Sequence, residues 1–530
     1  MLKCTINGQE VEVKEGSTVI EAMYGKNGQW DHGKVAHYCW HPGLSVAGVC
    51  RLCMVEVEGN LRLQIACNTQ VTEGMKINNT SQKVKDAAKW GLDFHLINHP
   101  LDCPICDQAG ECGLQEQYME FGKYTPEMAE KKTKKSKVVD LGPTVVLDSE
   151  RCVLCSRCVR FTEEVSKTNE LGIFNRGDHA EIGTFDGKPL DNKYSLNTVD
   201  ICPVGALTSK DFRFRQRVWY LKDAETVCNG CSTGCNVKTY FNREGFFRVK
   251  PKYNEAVNGH WMCDEGRDLY KFANRENRFV KGKKKIATGW EEMLPGAAAK
   301  AAGAVVKNST SKTALVLTGQ YTSEEYQSVL ATMKNEIKSN LVFHWDNNPG
   351  SEKDFDGLLI RGDKNPNTMG LKQTLDKEGF KAQWSELEKM LSNGEIQTLI
   401  VAGPENGTHY SDFSAKVTLF SKAKNLIWLQ STRNESLNSL PVNSWIIPMK
   451  SYVEKDGSFV NHAGLVQSFK KVTTVISEAL TLSEAMDLLA GKSLTIRPDM
   501  NVFVENGRPT DRVLLETRKK NEFVFKRGNL

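Results

Sequence analysis

The sequence predicts a multidomain chain of mixed class, α+β over its first 277 residues and α/β beyond them. Three observations carry that prediction. At 530 residues the chain is long enough for three or four domains, at roughly 150 residues each. All sixteen cysteines fall between Cys4 and Cys263, among short alternating segments. Further on, "KTALVLTGQYTSEEYQSVLATMKNEIKSNLVFHW" reads as strand, helix, strand, and "IQTLIVAGPENG" and "KNLIWLQS" add buried strands, the pattern of a layered sheet with helices on its faces.

The composition narrows the class of function. A hydrophobic fraction of 40% and a charged fraction of 25% are those of ordinary globular material. No apolar run approaches the roughly 18 residues that span a bilayer, so an integral membrane protein is not expected. The start, "MLKCTINGQEVEVKEGSTV", alternates like a strand and lacks the basic and apolar segments of a secretory signal. The expectation is a protein that stays where it is made. A net charge of +5 over 70 basic and 65 acidic side chains is no nucleic-acid footprint. The dense basic run "KKTKKSK" at 131–137 reads as a solvated linker, with a contact to an acidic protein surface as the second reading. Disulfide scaffolds are small and secreted, so sixteen cysteines in this chain read as reduced thiolates that bind metal.

Cys4 stands alone on the first predicted strand and reads as a small core residue. The other fifteen parse into four sets. The first is Cys39, Cys50, Cys53 and Cys67, in a domain expected at 1–80. Ser45, Ala47 and Gly48 suit a loop that wraps an inorganic core and offers N–H groups to its sulfurs, and "MVEVEG" and "LRLQIAC" read as strands that hold it. A 2Fe-2S cluster in a ferredoxin-like β-grasp sheet is expected, with structural zinc as the alternative. The second set, in a module at 81–130, is Cys103, Cys106 and Cys112 with a histidine. "KVKDAAKWGLDFHLINHP" reads as a helix that Pro100 ends just after His99, which mounts that imidazole at a helix terminus. His95, one turn earlier, is eligible too, and three cysteines with one histidine also make a zinc set.

The third set is "CVLCSRC", Cys152, Cys155 and Cys158, with the remote Cys202 of "DICPVGAL", in a module at 138–212. This is the bacterial ferredoxin run, and Thr162 stands where a two-cluster ferredoxin places a further cysteine, so one 4Fe-4S cluster is expected. The fourth set is "CNGCSTGC", Cys228, Cys231 and Cys235, with Cys263, in a domain at 221–277. The strand-like "NVKTYFNREGFFRVKPK" between them suggests a small antiparallel domain that returns Cys263 to the loop. Another 4Fe-4S cluster fits there, with zinc again the alternative.

With these residues laid out, the chain resembles the large iron-sulfur subunit of respiratory NADH:quinone oxidoreductase, complex I. The resemblance rests on "HYCWHPGLSVAGVCRLC", "HPLDCPICDQAGEC", "CVLCSRCVRF" with "DICPVGAL", and "CNGCSTGC" with "CDEGR", in one order. It implies a 2Fe-2S cluster at the first set, a 4Fe-4S cluster with one histidine ligand at the second, and all-cysteine 4Fe-4S clusters at the third and fourth. It implies His99 rather than His95 as that ligand. The fourth cluster belongs to some members only, mostly bacterial, off the main electron route. The resemblance also implies that 285–510 is a molybdopterin-oxidoreductase-like α/β domain without its cofactor. No molybdopterin is expected, although "SYVEKDGSFVNHAGLVQ" resembles the matching stretch of molybdopterin enzymes and a serine ligand stays open. Gly319 and Gly403 follow strands outside any G-x-G-x-x-G and read as ordinary strand-to-helix turns.

Several redox centres in series move electrons over distance, and no constellation for bond-making chemistry emerges. The resemblance implies a relay that takes electrons from a flavoprotein partner binding NADH and FMN and hands them to iron-sulfur and quinone-module subunits. Membrane contact is expected only through that complex, on the cytoplasmic side of a bacterial inner membrane. Two other readings stay open: the catalytic or electron-input subunit of a formate dehydrogenase or NAD-linked hydrogenase, and a zinc-stapled interaction scaffold outside redox chemistry.

Overall fold

The computed structural model describes residues 1–25, 29–123, 131–347 and 354–494. Residues 124–130 and 495–510, the ends of two of the expected domains, lie outside the described residues. The chain divides into two compact units, Met1–Leu221 and Lys222–Leu530, and its mixed α+β and α/β class is as the sequence predicts.

In the first unit the alternating start forms the antiparallel strands Leu2–Ile6 and Gln9–Val13. Asn7 and Gly8 turn between them with positive φ of 51° and 82°, the Asn-Gly hairpin turn that matches strand twist. Lys76–Asn78, Met54–Val57 and Gln64–Ile65 complete a five-stranded sheet, in which Leu2–Ile6 runs parallel to Lys76–Asn78 and every other pair is antiparallel. The helix Val19–Tyr24, opened by a Thr18–Glu21 capping box, buries Val19, Ile20 and Met23 against this sheet. Cys4 is 2% exposed and packs in the same core, as a small hydrophobe does.

The helix Gln82–Leu96 follows, its first turn capped by the Ser81 hydroxyl, which accepts from the Val84 N–H at 3.3 Å. It stops before His99, not after it. A residue preceding proline is driven out of the α region, so His99 cannot be helical ahead of Pro100, and the chain turns as the His99 N–H donates to Leu96 O at 3.2 Å. The basic run also departs from expectation. It is a strap rather than a solvated linker: Lys132 donates to the Leu96 and Ile97 carbonyls at 2.9 Å each, and Lys137 pairs with Glu150 at 2.8 Å and with Asp102. Beyond it, Val139–Asp140, Val145–Leu147 and Leu207–Ser209 form a three-stranded antiparallel sheet, beside the hairpin Leu171–Phe174 and Glu181–Thr184.

The second unit opens with an antiparallel meander, Lys222–Val227, Asn236–Asn242 and Gly245–Pro251. Its large sheet has seven strands, in the order Gly289–Met293, Gly282–Ile286, Ser444–Pro448, Asn425–Gln430, Thr398–Ala402, Thr313–Leu317, Val342–His344. The last five are parallel and the first two antiparallel. "TALVL" and "TLIVA" are buried at every position because helices cover both faces. Leu315, Ile400 and Leu429 point to one core, with the helices Pro295–Lys307 and Leu482–Leu489; Val316, Leu399 and Trp428 point to the other, with Trp384–Ser392 and Phe413–Phe420.

Candidate metal centres

The first set sits on a loop between helix and sheet. Gly48, at φ +65°, and Arg51, at φ +55°, turn the backbone left-handed just before Cys50 and Cys53. All four thiols are buried, the Cys39 and Cys50 sulfurs are 3.4 Å apart, and the Tyr38 N–H reaches Cys50 Sγ at 3.5 Å. Thiol contacts, with Cys50 first and Cys67 second, pull the Cys39 pKa down, contact with Cys67 pulls that of Cys53 down, and Cys50 and Cys67 are pushed up in turn. Sulfurs that share protons in this way already compete for positive charge, which a metal core supplies.

The second set lines an open cleft of about 830 Å³. His99, Cys103, Cys106 and Cys112 all face it, while His95 turns its Nδ1 to Gly91 O at 2.7 Å and its ring against Tyr38. Burial, with Lys132 and Arg151 nearby, lowers the His99 pKa to about 4, so the imidazole is neutral and its nitrogen lone pair is free to ligate. Cys112 is the residue before the helix Gly113–Phe121, and burial raises its pKa against the opposing pull of the Gln115 and Leu114 amides. Gly205 closes the cradle: a Cβ there would collide with Cys106 Sγ.

In the third set, Leu154 at φ +52° and Ser156 at φ +60° curl "CVLCSRC" so that its thiols converge with Cys202, and the Leu154 N–H meets Cys152 Sγ at 3.4 Å. Burial pushes the Cys152 thiol up to about 12 and Cys202 up to about 11, the latter against the amides of Leu207, Val204 and Ala206. Cys39 and Cys50 of the first set, Cys112 of the second and all four thiols of the third pack in one hydrophobic core.

The fourth set lines a small cavity in the second unit, with Gly230 and Gly266 against the sulfurs. The Gly266 N–H donates to Cys263 Sγ at 3.3 Å, and a Cβ on Gly266 would stand 3.3 Å from Cys228 Sγ. Burial pushes Cys263 up to about 12. The α/β region anchors this loop: Ser232 N–H donates to Asp363 O at 2.9 Å, and Asn229 donates to Glu405 Oε2 at 3.3 Å. Glu265 pairs with His409 at 2.7 Å and with Lys364 at 2.6 Å, which holds its pKa down to about 2. Above the parallel strands, the space over Gly319 is filled by Asn365 and Thr368 and that over Gly403 by Gln430.

Among the described residues no three His, Cys, Asp or Glu side chains close onto the geometry of a single metal ion. What fits a multinuclear core is the donor chemistry: thiols gathered by glycine and left-handed turns, with backbone N–H groups aimed at sulfur. The motif reading missed Arg157, Arg160 and Arg151. Arg151 donates to Asp102 Oδ2 at 2.9 Å beside the second set, and the other two arginines lie between the first and third. Arg151 and Arg157 each precede a cysteine and Arg160 stands two after Cys158, and nothing local says what they reach.

A β-grasp sheet, a ferredoxin-like turn and an antiparallel meander, each carrying clustered thiols, define a multidomain iron-sulfur protein. Family matches agree along the chain. Residues 1–82 match the 2Fe-2S iron-sulfur cluster binding domain and 91–126 the NADH-ubiquinone oxidoreductase-G iron-sulfur binding region. Residues 142–208 match the ferredoxin-like domain of NADH-quinone oxidoreductase subunit 3, and 221–275 the molybdopterin oxidoreductase Fe4S4 domain. In particular, the chain resembles the G-type subunit of NADH-quinone oxidoreductase. It is 35% identical to that protein of Rickettsia conorii over 346 residues, 64% of this chain and 50% of the relative. It is 38% identical to that of Streptomyces coelicolor over 306 residues, 56% of this chain and 36% of the relative. The mitochondrial NADH dehydrogenase [ubiquinone] iron-sulfur protein 1 of Solanum tuberosum is 36% identical over 65% of this chain and 46% of its own length. The chain thus spans about half the length of the curated relatives it matches first. A chain of an NAD+-reducing [NiFe]-hydrogenase, 27% identical, covers 41% of this one at a TM-score of 0.37, too weak a likeness to bear on the fold.

Proposed function

We propose that the chain is an iron-sulfur electron-relay subunit of an NADH:quinone oxidoreductase. In this reading Cys39, Cys50, Cys53 and Cys67 hold a 2Fe-2S cluster. Three 4Fe-4S clusters are held by His99 with Cys103, Cys106 and Cys112, by Cys152, Cys155, Cys158 and Cys202, and by Cys228, Cys231, Cys235 and Cys263. When bound, these groups supply one-electron redox chemistry. The chain's own residues supply ligation, burial and N–H donors that set each potential. The observation that carries the reading is the single core shared by thiols of the first three sets, because closely packed redox centres in series are what a relay needs and a stapled scaffold does not.

The source of electrons is an NADH-oxidising flavoprotein partner, and the acceptor is a further iron-sulfur subunit nearer the quinone. The fourth set lies off that route, and the α/β region serves as a cofactor-free support for it. No helix among the described residues is long and apolar enough to cross a membrane, which suits a peripheral subunit on the cytoplasmic side of a bacterial inner membrane. Iron and acid-labile sulfide analysis with low-temperature EPR of the dithionite-reduced chain tests the proposal. One 2Fe-2S and several 4Fe-4S signals are expected; stoichiometric zinc without sulfide overturns it, and molybdenum in the purified protein redirects it to a formate dehydrogenase.

A further inference from the structure

Two arginines of "CVLCSRCVRF" stand in an unusual place. Arg157 and Arg160 bound a one-turn helix that starts after the left-handed Ser156 and runs into a wider turn at Phe161–Val165, so at a spacing of three they share a face. Arg157 donates to Ile201 O at 2.9 Å and to Trp40 O at 2.6 Å, which ties the residue before Cys202 to the residue after Cys39. Arg160 donates to the carbonyls of Cys39, Ser45 and Cys155. Each guanidinium therefore bridges the loop of the first thiol set to the loop of the third.

What they lack is a counter-charge. Among the described residues neither arginine has a carboxylate within ion-pair distance, and their acceptors are neutral carbonyls and the Ser156 hydroxyl. Arg157 Nε is buried without a partner. A guanidinium does not deprotonate in a protein, and an uncompensated buried cation costs several kcal/mol. The thiols of Cys155, Cys202, Cys39 and Cys50, two from each set, interact with it electrostatically, as do Tyr24 and His37. The anionic centres those thiols would hold supply the counter-charge that these carbonyls do not.

We infer that Arg157 is a positioning residue shared by the first and third sets, raising the reduction potential of both and keeping their loops in fixed register. The inference rests on the iron-sulfur reading above. When one electron from the flavoprotein donor arrives at either centre, one negative charge is added there and no bond forms or breaks. A fixed cation in contact with both loops favours that state at each centre. Coupling two neighbouring potentials to one charge holds their difference steady while both shift together.

The test is an EPR-monitored redox titration of the full chain, reconstituted anaerobically with iron and sulfide. Arg157→Gln is expected to lower both the 2Fe-2S and the third-set 4Fe-4S midpoints, each by about tenfold in the one-electron equilibrium, or about 59 mV. Arg157→Lys, which keeps the charge and loses the fork, restores most of the shift, and Lys85→Gln on an exposed helix face moves neither. Midpoints left in place by Arg157→Gln, or only one of the two displaced, overturn the inference. Should Arg157→Gln fail to keep its clusters, Arg157→Lys decides: potentials within threefold of wild type support the charge, and a tenfold fall overturns it. A wild-type chain without these signals defeats the iron-sulfur reading itself, whereas wild-type signals with unmoved variants defeat only the role of Arg157.

Discussion

Glu454→Gln should destabilise the second unit by about 3–5 kcal/mol, the loss expected when one member of a buried ion pair is removed. Arg278 and Glu454 pair at 2.7 Å, and both side chains are 0% exposed. The carboxylate also accepts from the amides of Ser451 at 2.9 Å and of Val475 and Ile476 at 2.8 Å. Burial pushes its pKa up, but Arg278 and those amides outweigh it and hold the carboxyl below its ordinary 4.5. A depressed acid pKa gives stability that is present above about pH 4.5 and drains as pH falls through the lower folded value. The variant should therefore lose both the stability and that acid limb. Denaturant unfolding followed by the fluorescence of the buried Trp345 and Trp428 measures it, from pH 7 down through the acid range below 4.5. Replacing Arg278 with Met in the same chain should recover part of the loss, because the buried cation that Glu454→Gln strands is then gone. A loss below about 1 kcal/mol at pH 7, or an unchanged acid limb, would refute the reasoning. The fourth set should feel the change as well, since the turn at Tyr452–Glu454 positions the Tyr452 N–H that donates to Glu405 at 3.0 Å, and Glu405 holds Asn229 beside Cys228.

Gly205→Ala places a methyl in collision with Cys106 Sγ and within 3.0 Å of Gln108 Cβ, so the EPR signal of the His99 set should weaken or vanish while the 2Fe-2S signal stays. A full complement of unaltered signals would count against that cradle. Cys4→Ala should leave iron content and every signal unchanged and cost about 1 kcal/mol of stability, as a small core truncation does; missing iron would mean that Cys4 is a ligand. Lys132→Ala removes one ammonium that makes two hydrogen bonds, to the Leu96 and Ile97 carbonyls at the end of the helix Gln82–Leu96, so limited proteolysis there should accelerate and the His99-set signal should broaden, at a cost of about 1 kcal/mol. Unchanged cleavage rates would show that the strap does not hold the helix end.

Much of the fold was legible because its signals are local. Alternation marked the first strands, continuous apolar runs marked the buried parallel strands, and cysteine spacing gathered the donor sets. What was not legible depends on partners far off in the chain. The lysine run reads as a solvated linker until Asp102, Glu150 and the Leu96 carbonyl, up to 36 positions away, are seen to receive it. The helix before His99 ends at Leu96, short of the stop that Pro100 suggests, because the chain turns over Ile97–His99 before it reaches the proline. No periodicity could say which of two histidines faces the thiols: that depends on a turn of three residues after the helix, and the structure turns His99 to the cleft while His95 bonds Gly91.

The thiols themselves argue that folding and metal loading are coupled. Burial raises Cys152 to about 12, Cys202 to about 11 and Cys263 to about 12, so at neutral pH these ligands are protonated in the metal-free chain. If Cys152 and Cys202 bind a cluster, loading releases protons in the first unit beside Arg157 and Arg160, two cations with no carboxylate within ion-pair distance among the described residues. On the proposed reading, Arg157 is a buried cation without a counter-charge in the metal-free chain and gains one when the anionic centres beside it are loaded. Iron removal by chelation should therefore lower the unfolding midpoint of wild type more than that of Arg157→Gln. Equal losses in the two would show that the guanidinium is compensated by something other than the centres it touches.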